Sequence, residues 1–352
     1  MTKLRIILLS ANVLLLIGFV GLVYKLTSKE EAATPNPAFL VDAPNLTGGI
    51  WDSHKNCQEC HPIIYDEWQK SMHIIAWTDP HVQLVMKSAT AGASHATTEC
   101  RPCHLPAPVF EKAQDELVKG RTWDEGSGVN CLTCHKKDAS VIGPGQSPQS
   151  NCNAVTDPFI TTPEFCAQCH RAVDKSRSLH EYEEWLERSQ QTIDKTCIDC
   201  HMREVERPIA KGGPIKKGHS HWAYVSKNPK IMRSAFDIKH EFSKNQVKIG
   251  IVNTGTAHRL PTGRMRMLYM TVQVKDKAGK EMTSYRETFA KPATPGAGES
   301  TQLLDGETQV FTYPLEGLPQ GTVTIEVFFK AMRYDIEDLL EPLFSRDIKF
   351  SY

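Results

Sequence analysis

Five copies of the pattern Cys-x-x-Cys-His lie in the 352-residue chain. Two thiols three positions apart can each add to one vinyl group of a single porphyrin, and the adjoining histidine can then bind the iron as its proximal ligand. The pattern therefore predicts five covalently bound c-type haems. The predicted thioether cysteines are Cys57, Cys60, Cys100, Cys103, Cys131, Cys134, Cys166, Cys169, Cys197 and Cys200, and the predicted proximal iron ligands are His61, His104, His135, His170 and His201.

Zinc knuckles and thioredoxin-like dithiols also use Cys-x-x-Cys. Neither requires a histidine directly after the second cysteine in every copy, so five complete copies favour haem. Haem attachment uses ten of the eleven cysteines. Cys152 remains, and we expect it to be a small buried residue without a chemical role and no intrachain disulfide to form.

The attachment motifs are dense, since 145 residues from Cys57 to His201 carry all five. This is too little chain to surround each haem with an ordinary side-chain core. We therefore expect the haems to pack against one another. The whole chain is long enough for about two to three domains.

Charge is balanced, with 41 basic and 41 acidic residues. Haem propionates would add negative charge to an already neutral chain. Nucleic acid is therefore not an expected partner.

An apolar segment from Ile6 to Tyr24 follows Lys3 and Arg5. Nineteen helical residues span about 28 Å, close to the hydrocarbon thickness of a bilayer. A cleaved signal peptide has a shorter apolar region and an early cleavage site, so residues 1–31 are predicted to be an uncleaved membrane anchor. Because haem is attached after export, the rest of the chain is expected on the periplasmic or extracellular side of the cytoplasmic membrane. Residues 32–49 are predicted to be an extended tether.

Residues 50–235 are predicted to form a pentahaem domain of short helices and loops. A Gly- and Pro-rich stretch at residues 143–148 indicates one such loop. Two segments, Tyr65–Ser71 and Tyr182–Ser189, repeat a similar aromatic and acidic pattern, and their aromatic side chains are expected on haem faces or edges. Helical periodicity predicts helices at Pro62–Ile75, Glu111–Lys119 and Leu179–Thr192.

Residues 236–352 contain no cysteine and alternate with period two. The pattern predicts an antiparallel β-sandwich that supports or docks the haem domain. A hairpin loop is predicted at Asp276–Lys280. The predicted strands are Val247–Val252, Leu268–Val274, Glu281–Thr288 and Val323–Phe329.

The sixth position of each iron separates an electron carrier from a catalyst. Nine histidines lie outside the motifs, so supply exceeds demand. From the residues alone, His258 in a turn-rich loop is equally well a surface residue or a haem ligand. The candidate distal ligands are His73, His95, His180, His221 with His219 as its alternative, and His258. We expect no ligation by His54, His81 or His240, and we expect Met72, Met86 and Met202 less than histidine.

Three segments resemble multihaem cytochromes c related to hydroxylamine oxidoreductase and its tetrahaem partner cytochrome. They are Trp68–His73, Gly128–His135 and Cys197–Met202. The resemblance implies that His73 is a distal ligand. The segment Asn253–Gly263 is similar to a loop of the β-sandwich found after the haems in many such proteins, which implies the same role for His258.

The expected function is that of a membrane-anchored pentahaem cytochrome. It would relay electrons between a membrane respiratory complex or quinone pool and an exported redox partner protein, with no catalytic residue of its own. One alternative is an oxidoreductase of a small nitrogen or sulfur compound at one five-coordinate haem. Another is a haem-bearing subunit of a larger complex or filament. The chain has no Cys-x-x-Cys-Lys motif, so the lysine-ligated haem of pentahaem nitrite reductases is not encoded.

Overall fold

The computed structural model describes most of the chain after residue 52. The predicted anchor and most of the predicted tether lie outside the described residues, as does most of the predicted loop at 143–148. No helix among the described residues is long and apolar enough to cross a membrane. The described ranges are 40–41, 53–90, 96–112, 117–143, 152–171, 180–189, 194–223, 228–292, 298–315, 317–331 and 340–351.

Helices in the described part of the chain are short, and the longest has 11 residues. Five of these helices contain all or the beginning of an attachment motif, and the other four contain none. The helices span Cys57–Cys60, Pro62–Gln69, Pro80–Thr90, Ala96–His104, Cys131–His135, Pro163–Cys166, Glu181–Ser189, Cys197–His201 and Pro229–Arg233.

The three predicted helices agree with the structure to different extents. The helix at Pro62–Ile75 is real but ends at Gln69, where turns take over. The helix at Leu179–Thr192 is confirmed over Glu181–Ser189. The helix at Glu111–Lys119 is wrong over its described residues, because Val109–Glu111 form a 3-10 turn and residues 117–119 belong to neither a helix nor a strand.

Short strands connect distant parts of the haem-binding region. Leu40–Val41, from the predicted tether, pair in parallel with Gly120–Arg121. The tether thus has a fixed contact with the region that precedes the third motif. In chain order these strands are β1 (Leu40–Val41), β2 (Gly120–Arg121), β3 (Lys136–Lys137), β4 (Ser140–Gly143), β5 (Ala154–Thr156), β6 (Glu204–Pro208) and β7 (Ile215–His219).

The C-terminal region is rich in β-sheet. One sheet has four strands in the order β11-β10-β13-β14, and the other has three in the order β12-β9-β8. All pairs are antiparallel. The strands are β8 (Phe236–Ser243), β9 (Gln246–Asn253), β10 (Met267–Asp276), β11 (Glu281–Phe289), β12 (Thr308–Pro314), β13 (Gln320–Lys330) and β14 (Phe344–Ser351).

One hydrophobic cluster takes side chains from both sheets. Ile249 and Ile251 of β9, Met270 and Val272 of β10, and Ile325 of β13 are completely buried. Alternate positions of a strand point to one face, so the period-two pattern places these residues together. The cluster fixes the sheets against each other.

The four strands predicted from alternation are all confirmed, as is the hairpin loop at Asp276–Lys280, where Gly279 adopts a positive φ of 84°. Strands β8, β12 and β14 were not predicted. All three lie at sheet edges, and the exposed positions of β8 and β14 carry charged residues, whereas β12 carries none. The predicted domain boundary at 235/236 stays a prediction.

Candidate haem-binding site

Each attachment motif is built on a single helical turn. The His61 amide donates to the Cys57 carbonyl at 2.9 Å, and the His170 amide donates to the Cys166 carbonyl at 3.0 Å. Residues three apart on a helix lie on the same side. The two cysteines of a motif therefore face one side, as attachment to one porphyrin edge requires, and no cysteine forms a disulfide.

The third and fifth motifs begin with a capping box. The Asn130 side chain accepts a hydrogen bond from the Thr133 amide, and the Thr133 hydroxyl accepts one from the Asn130 amide. Before Cys197, the Asp199 carboxylate accepts from both the amide and the hydroxyl of Thr196, at 2.6 and 2.8 Å. Caps satisfy the free amides of a first turn, so these two short helices hold their shape without a long hydrogen-bond ladder.

A buried arginine holds the segment that leads into the third motif. Arg121 is only 2 % exposed, and its guanidinium donates to the carbonyls of Pro106 and Gly128 and to the Ser127 hydroxyl. Burial lowers the pKa of Arg121 to about 10, so it keeps its positive charge at neutral pH. The arginine ties the second and third motifs together through backbone oxygens.

Three histidines of the attachment motifs are oriented by backbone carbonyls. The Nδ1 atoms of His61, His104 and His135 donate to the carbonyls of Ile209, Ala76 and Ile142 at 2.6, 2.7 and 2.6 Å. A proton fixed on Nδ1 leaves Nε2 as the free lone pair. This is the usual orientation of a metal-binding imidazole.

Three motif histidines also face a second imidazole from a distant part of the chain. The ring centroids of His170 and His73 are 6.4 Å apart. Those of His135 and His221 are 6.0 Å apart, and those of His201 and His258 are 6.3 Å apart. The structure thus brings together three of the histidines predicted as distal ligands with motif histidines.

These separations fit an iron between each pair. A histidine nitrogen lies about 2 Å from a first-row metal, and a ring centroid lies about 1 Å behind that nitrogen. Two imidazoles on opposite sides of one iron therefore have centroids roughly 6 Å apart.

Burial keeps two of these second imidazoles neutral. Burial, with the charge of His170 as the second cause, lowers the pKa of His73 to about 4. Burial and the neighbouring His135 lower the pKa of His221 to about 3. Neutral imidazole is the form that binds iron, so both groups are ready to coordinate at neutral pH.

The loop that carries His258 is held by the β-sheet core. Asn253, which is fully buried, donates through Nδ2 to the His258 carbonyl at 2.9 Å. Leu260 and Leu303 exchange backbone hydrogen bonds of 3.0 and 2.8 Å, and both side chains are buried. The C-terminal sheets thus present His258 to the fifth motif.

Cysteines from different motifs touch. Cys57 lies beside Cys131, Cys166 beside Cys197, and Cys103 beside Cys169. Cys134 lies close enough to Cys166 for a charge interaction. These contacts connect all five motifs into one continuous cluster.

The remaining candidate ligands lie elsewhere. His95 lies outside the described residues. His180 begins the helix at Glu181–Ser189, where its carbonyl accepts from the Glu184 amide. His219 donates through Nδ1 to the Met202 carbonyl at 2.7 Å, beside the fifth motif. Among the described residues, no histidine ring faces His61.

The histidines expected not to bind iron have other surroundings. His54 is 4 % exposed and hydrogen-bonds Asp124 at 2.8 Å while its ring packs against Tyr65 and Trp68. His81 lies 3.4 Å from Asp79. His240 is exposed on β8. Their exclusion as ligands stays a prediction, as does that of the methionines.

Sequence reasoning missed two carboxylates, Glu67 and Glu184. Each contacts the backbone of a segment that carries a candidate distal histidine. The available signal was the repeated aromatic and acidic pattern, in which both glutamates occupy the same position directly before a tryptophan.

The family model described as cytochrome c554 and c-prime matches residues 56–136, which include the first three motifs. The structure is similar to that of a penta-heme cytochrome c552 from Thermochromatium tepidum, with a TM-score of 0.61 and 17% identity over 86% of this chain and 100% of that chain. A hypothetical protein, PH1083, from Pyrococcus horikoshii OT3 matches with a TM-score of only 0.20 and 12% identity over 33% of this chain and 84% of that chain. No curated protein matches.

The predicted relationship to hydroxylamine oxidoreductase stays a prediction. The family match and the structural match both support covalently bound c-type haem. The chain has the fold of a multihaem cytochrome c, with short helices around the attachment motifs and a β-sheet-rich C-terminal region.

Proposed function

We propose that this protein is a pentahaem electron carrier anchored in the cytoplasmic membrane. It takes electrons from, or delivers them to, a membrane respiratory complex or quinone pool, and it exchanges them with an exported partner protein. The observation that carries the proposal is the set of three motif histidines, each opposed by a second imidazole at 6.0 to 6.4 Å.

Bound haem supplies one-electron chemistry at iron, with a potential set by axial ligands and burial. His73, His221 and His258 would fill the sixth position opposite His170, His135 and His201. A filled position leaves no room for a substrate on the iron. The paired histidines therefore favour electron transfer over bond chemistry at these three sites.

The cluster of motif cysteines supports a continuous path for electrons. Cys57 lies beside Cys131, Cys103 beside Cys169 and Cys166 beside Cys197, and Cys134 lies near Cys166, so the five attachment points are linked by proximity. Groups attached at touching cysteines lie side by side. All five attachment points then belong to one assembly with no isolated member.

Five bound haems, the uncleaved anchor at residues 1–31 and the location outside the cytoplasmic membrane are parts of the same proposal. The apolar segment Ile6–Tyr24 supports the anchor, and the five complete motifs support the haem count. His95 and His180 remain proposed distal ligands, without an assigned motif.

Ligand-binding spectroscopy on the purified, oxidised protein tests the carrier function. Cyanide, nitric oxide and hydroxylamine should leave the Soret and electron paramagnetic resonance spectra unchanged, because every iron already has two histidines. A high-spin iron that binds one of these molecules stoichiometrically would refute the carrier and favour an enzyme acting on a small nitrogen or sulfur compound. Intact mass in the same preparation checks that all five haems are attached.

A further inference from the structure

The sequence contains two copies of a short pattern, Tyr-x-Glu-Trp. The first is Tyr65–Trp68 on the helix Pro62–Gln69, and the second is Tyr182–Trp185 on the helix Glu181–Ser189. Each of these helices follows an attachment motif. The proposed electron transfer does not account for the repetition, so the contacts of the two copies can be compared directly.

The two tryptophans make the same contact. The Trp68 indole nitrogen donates to the Val129 carbonyl at 2.9 Å, and that of Trp185 donates to the Lys195 carbonyl at 2.8 Å. Each acceptor lies two residues before the first cysteine of a motif, Cys131 in the first case and Cys197 in the second. Each tryptophan therefore holds the residues that directly precede an attachment motif.

The two glutamates also make the same contact. Glu67 Oε2 accepts the amide of His221 itself at 2.8 Å, across 154 residues of sequence. Glu184 Oε2 accepts the amide of Arg259, the residue after His258, also at 2.8 Å and across 75 residues. Each glutamate therefore holds the backbone that carries a second imidazole.

An arginine fixes each glutamate. Arg207 is 8 % exposed and donates through Nε and Nη2 to the two oxygens of Glu67 at 2.9 and 3.0 Å. A planar fork of this kind sets the orientation of a carboxylate. The Arg259 guanidinium lies 3.3 Å from Glu184 Oε1. Both carboxylates are thereby aimed at the amide that they hold.

The two contacts of each copy converge on one histidine pair. Trp68 holds the entry to the motif of His135, and Glu67 holds His221, which faces His135 at 6.0 Å. In the second copy, Trp185 and Glu184 hold the two segments that bring His201 and His258 to 6.3 Å.

We propose that Glu67 and Glu184 are positioning residues that keep His221 and His258 on the irons of the third and fifth motifs, with Trp68 and Trp185 fixing the opposite side. The proposal rests on the histidine pairing of the proposed function. Each Tyr-x-Glu-Trp segment would then hold both histidine-bearing segments of one haem site, and this arrangement is called the clamp.

Variants at Glu184 test the clamp by spectroscopy. Glu184→Ala removes the acceptor of the Arg259 amide, whereas Glu184→Gln keeps an oxygen in its place. A hydrogen bond to a charged group changes an equilibrium by roughly tenfold or more. The fraction of one iron that exchanges its histidine for added cyanide should therefore rise about tenfold or more in Glu184→Ala and much less in Glu184→Gln.

Glu187→Ala is the matched control, since Glu187 is exposed on the same helix. Haem stoichiometry by pyridine haemochrome shows that each variant has matured. The clamp is refuted if mature Glu184→Ala binds cyanide no better than Glu187→Ala. It is also refuted if Glu184→Gln behaves like Glu184→Ala, because an anionic charge alone would then explain the effect.

His258→Ala separates this proposal from the pairing on which it rests. If His258→Ala leaves all haems low-spin, the pairing itself fails. If His258→Ala creates one high-spin haem and Glu184→Ala leaves exchange unchanged, only the clamp fails. Glu67→Ala, with Asp66→Ala as the exposed neighbour, repeats the test at His221.

Discussion

Gly128 lies against the backbone of the His73 segment, and Gly128→Ala should disturb the ligand without touching its side chain. A Cβ at this position would lie 2.3 Å from the His73 carbonyl oxygen, 2.7 Å from the Ile74 carbonyl oxygen and 2.9 Å from the Ala76 amide nitrogen. The Gly128 φ is +49°, which L-residues rarely adopt. The next residue, Val129, donates its amide to the same His73 carbonyl at 2.8 Å.

Two costs add in this variant. The Gly128 backbone, with φ +49° and ψ −125°, is outside the common conformations of other residues, which costs a residue with a side chain about 1–3 kcal/mol, and forcing an extra carbon into a filled space costs about 1–3 kcal/mol. Since real Cβ contacts essentially never fall below 3.0 Å, the His73 backbone must move by at least about 0.7 Å. Movement of that size is a third of an iron–nitrogen bond of about 2 Å, so it should weaken ligation.

The assay compares Gly128→Ala with Gly126→Ala, because a Cβ on Gly126 would meet nothing within 4 Å. We expect Gly128→Ala to lower the Tm by roughly 5–15 °C and to create a cyanide-binding, high-spin fraction at one haem. His73→Ala should give a high-spin signal at the same haem. Equal Tm values and fully low-spin spectra for both glycine variants would refute the reasoning.

Arg121→Met should lower the free energy of unfolding by about 3–5 kcal/mol, because it leaves several buried oxygens without a donor. The control is Arg346→Met, which changes an exposed arginine. Equal thermal melts of the two variants would contradict the expectation. The anchor predicts that mass spectrometry of the mature protein finds residues 1–31 still attached; a start near Ala33 would show cleavage. Cys152→Ser should leave the haem count and the spectra unchanged by pyridine haemochrome and absorption, and loss of a haem would show that Cys152 has a role.

The attachment motifs could be predicted from the sequence because covalent chemistry fixes their spacing. Cys57 to His61 must form one helical turn whatever the rest of the fold does, and it does so. The central strands could be predicted for a similar reason, since alternating burial in β10 gives its apolar residues a period of two.

The contacts between residues far apart in the chain could not be predicted from the sequence. Nothing near His221 indicates that Glu67, 154 residues earlier, will hold its amide. The false helix at Glu111–Lys119 has the same origin, since local spacing there does not reveal that Ala107 and Lys119 are joined by a backbone hydrogen bond of 2.8 Å. Such contacts depend on how the haem-binding segments fold together.

His258 was undecided from its residues alone, and only the resemblance favoured it as a ligand. In the structure its position depends on Asn253, Leu260 and Glu184, which come from a strand, a loop and a distant helix. A motif can mark such a histidine, but its distance from His201 is set by the packing of the sheets against the haem-binding region.

Electron paramagnetic resonance of the fully oxidised protein, with spin counting against the haem content, tests the central claim most directly. The account predicts that at least the irons of the third, fourth and fifth motifs give low-spin signals of bis-histidine type, and that His221→Ala, His73→Ala and His258→Ala each convert one iron to high spin. Three variants with unchanged low-spin counts would contradict the paired-histidine assignment and, with it, the carrier function.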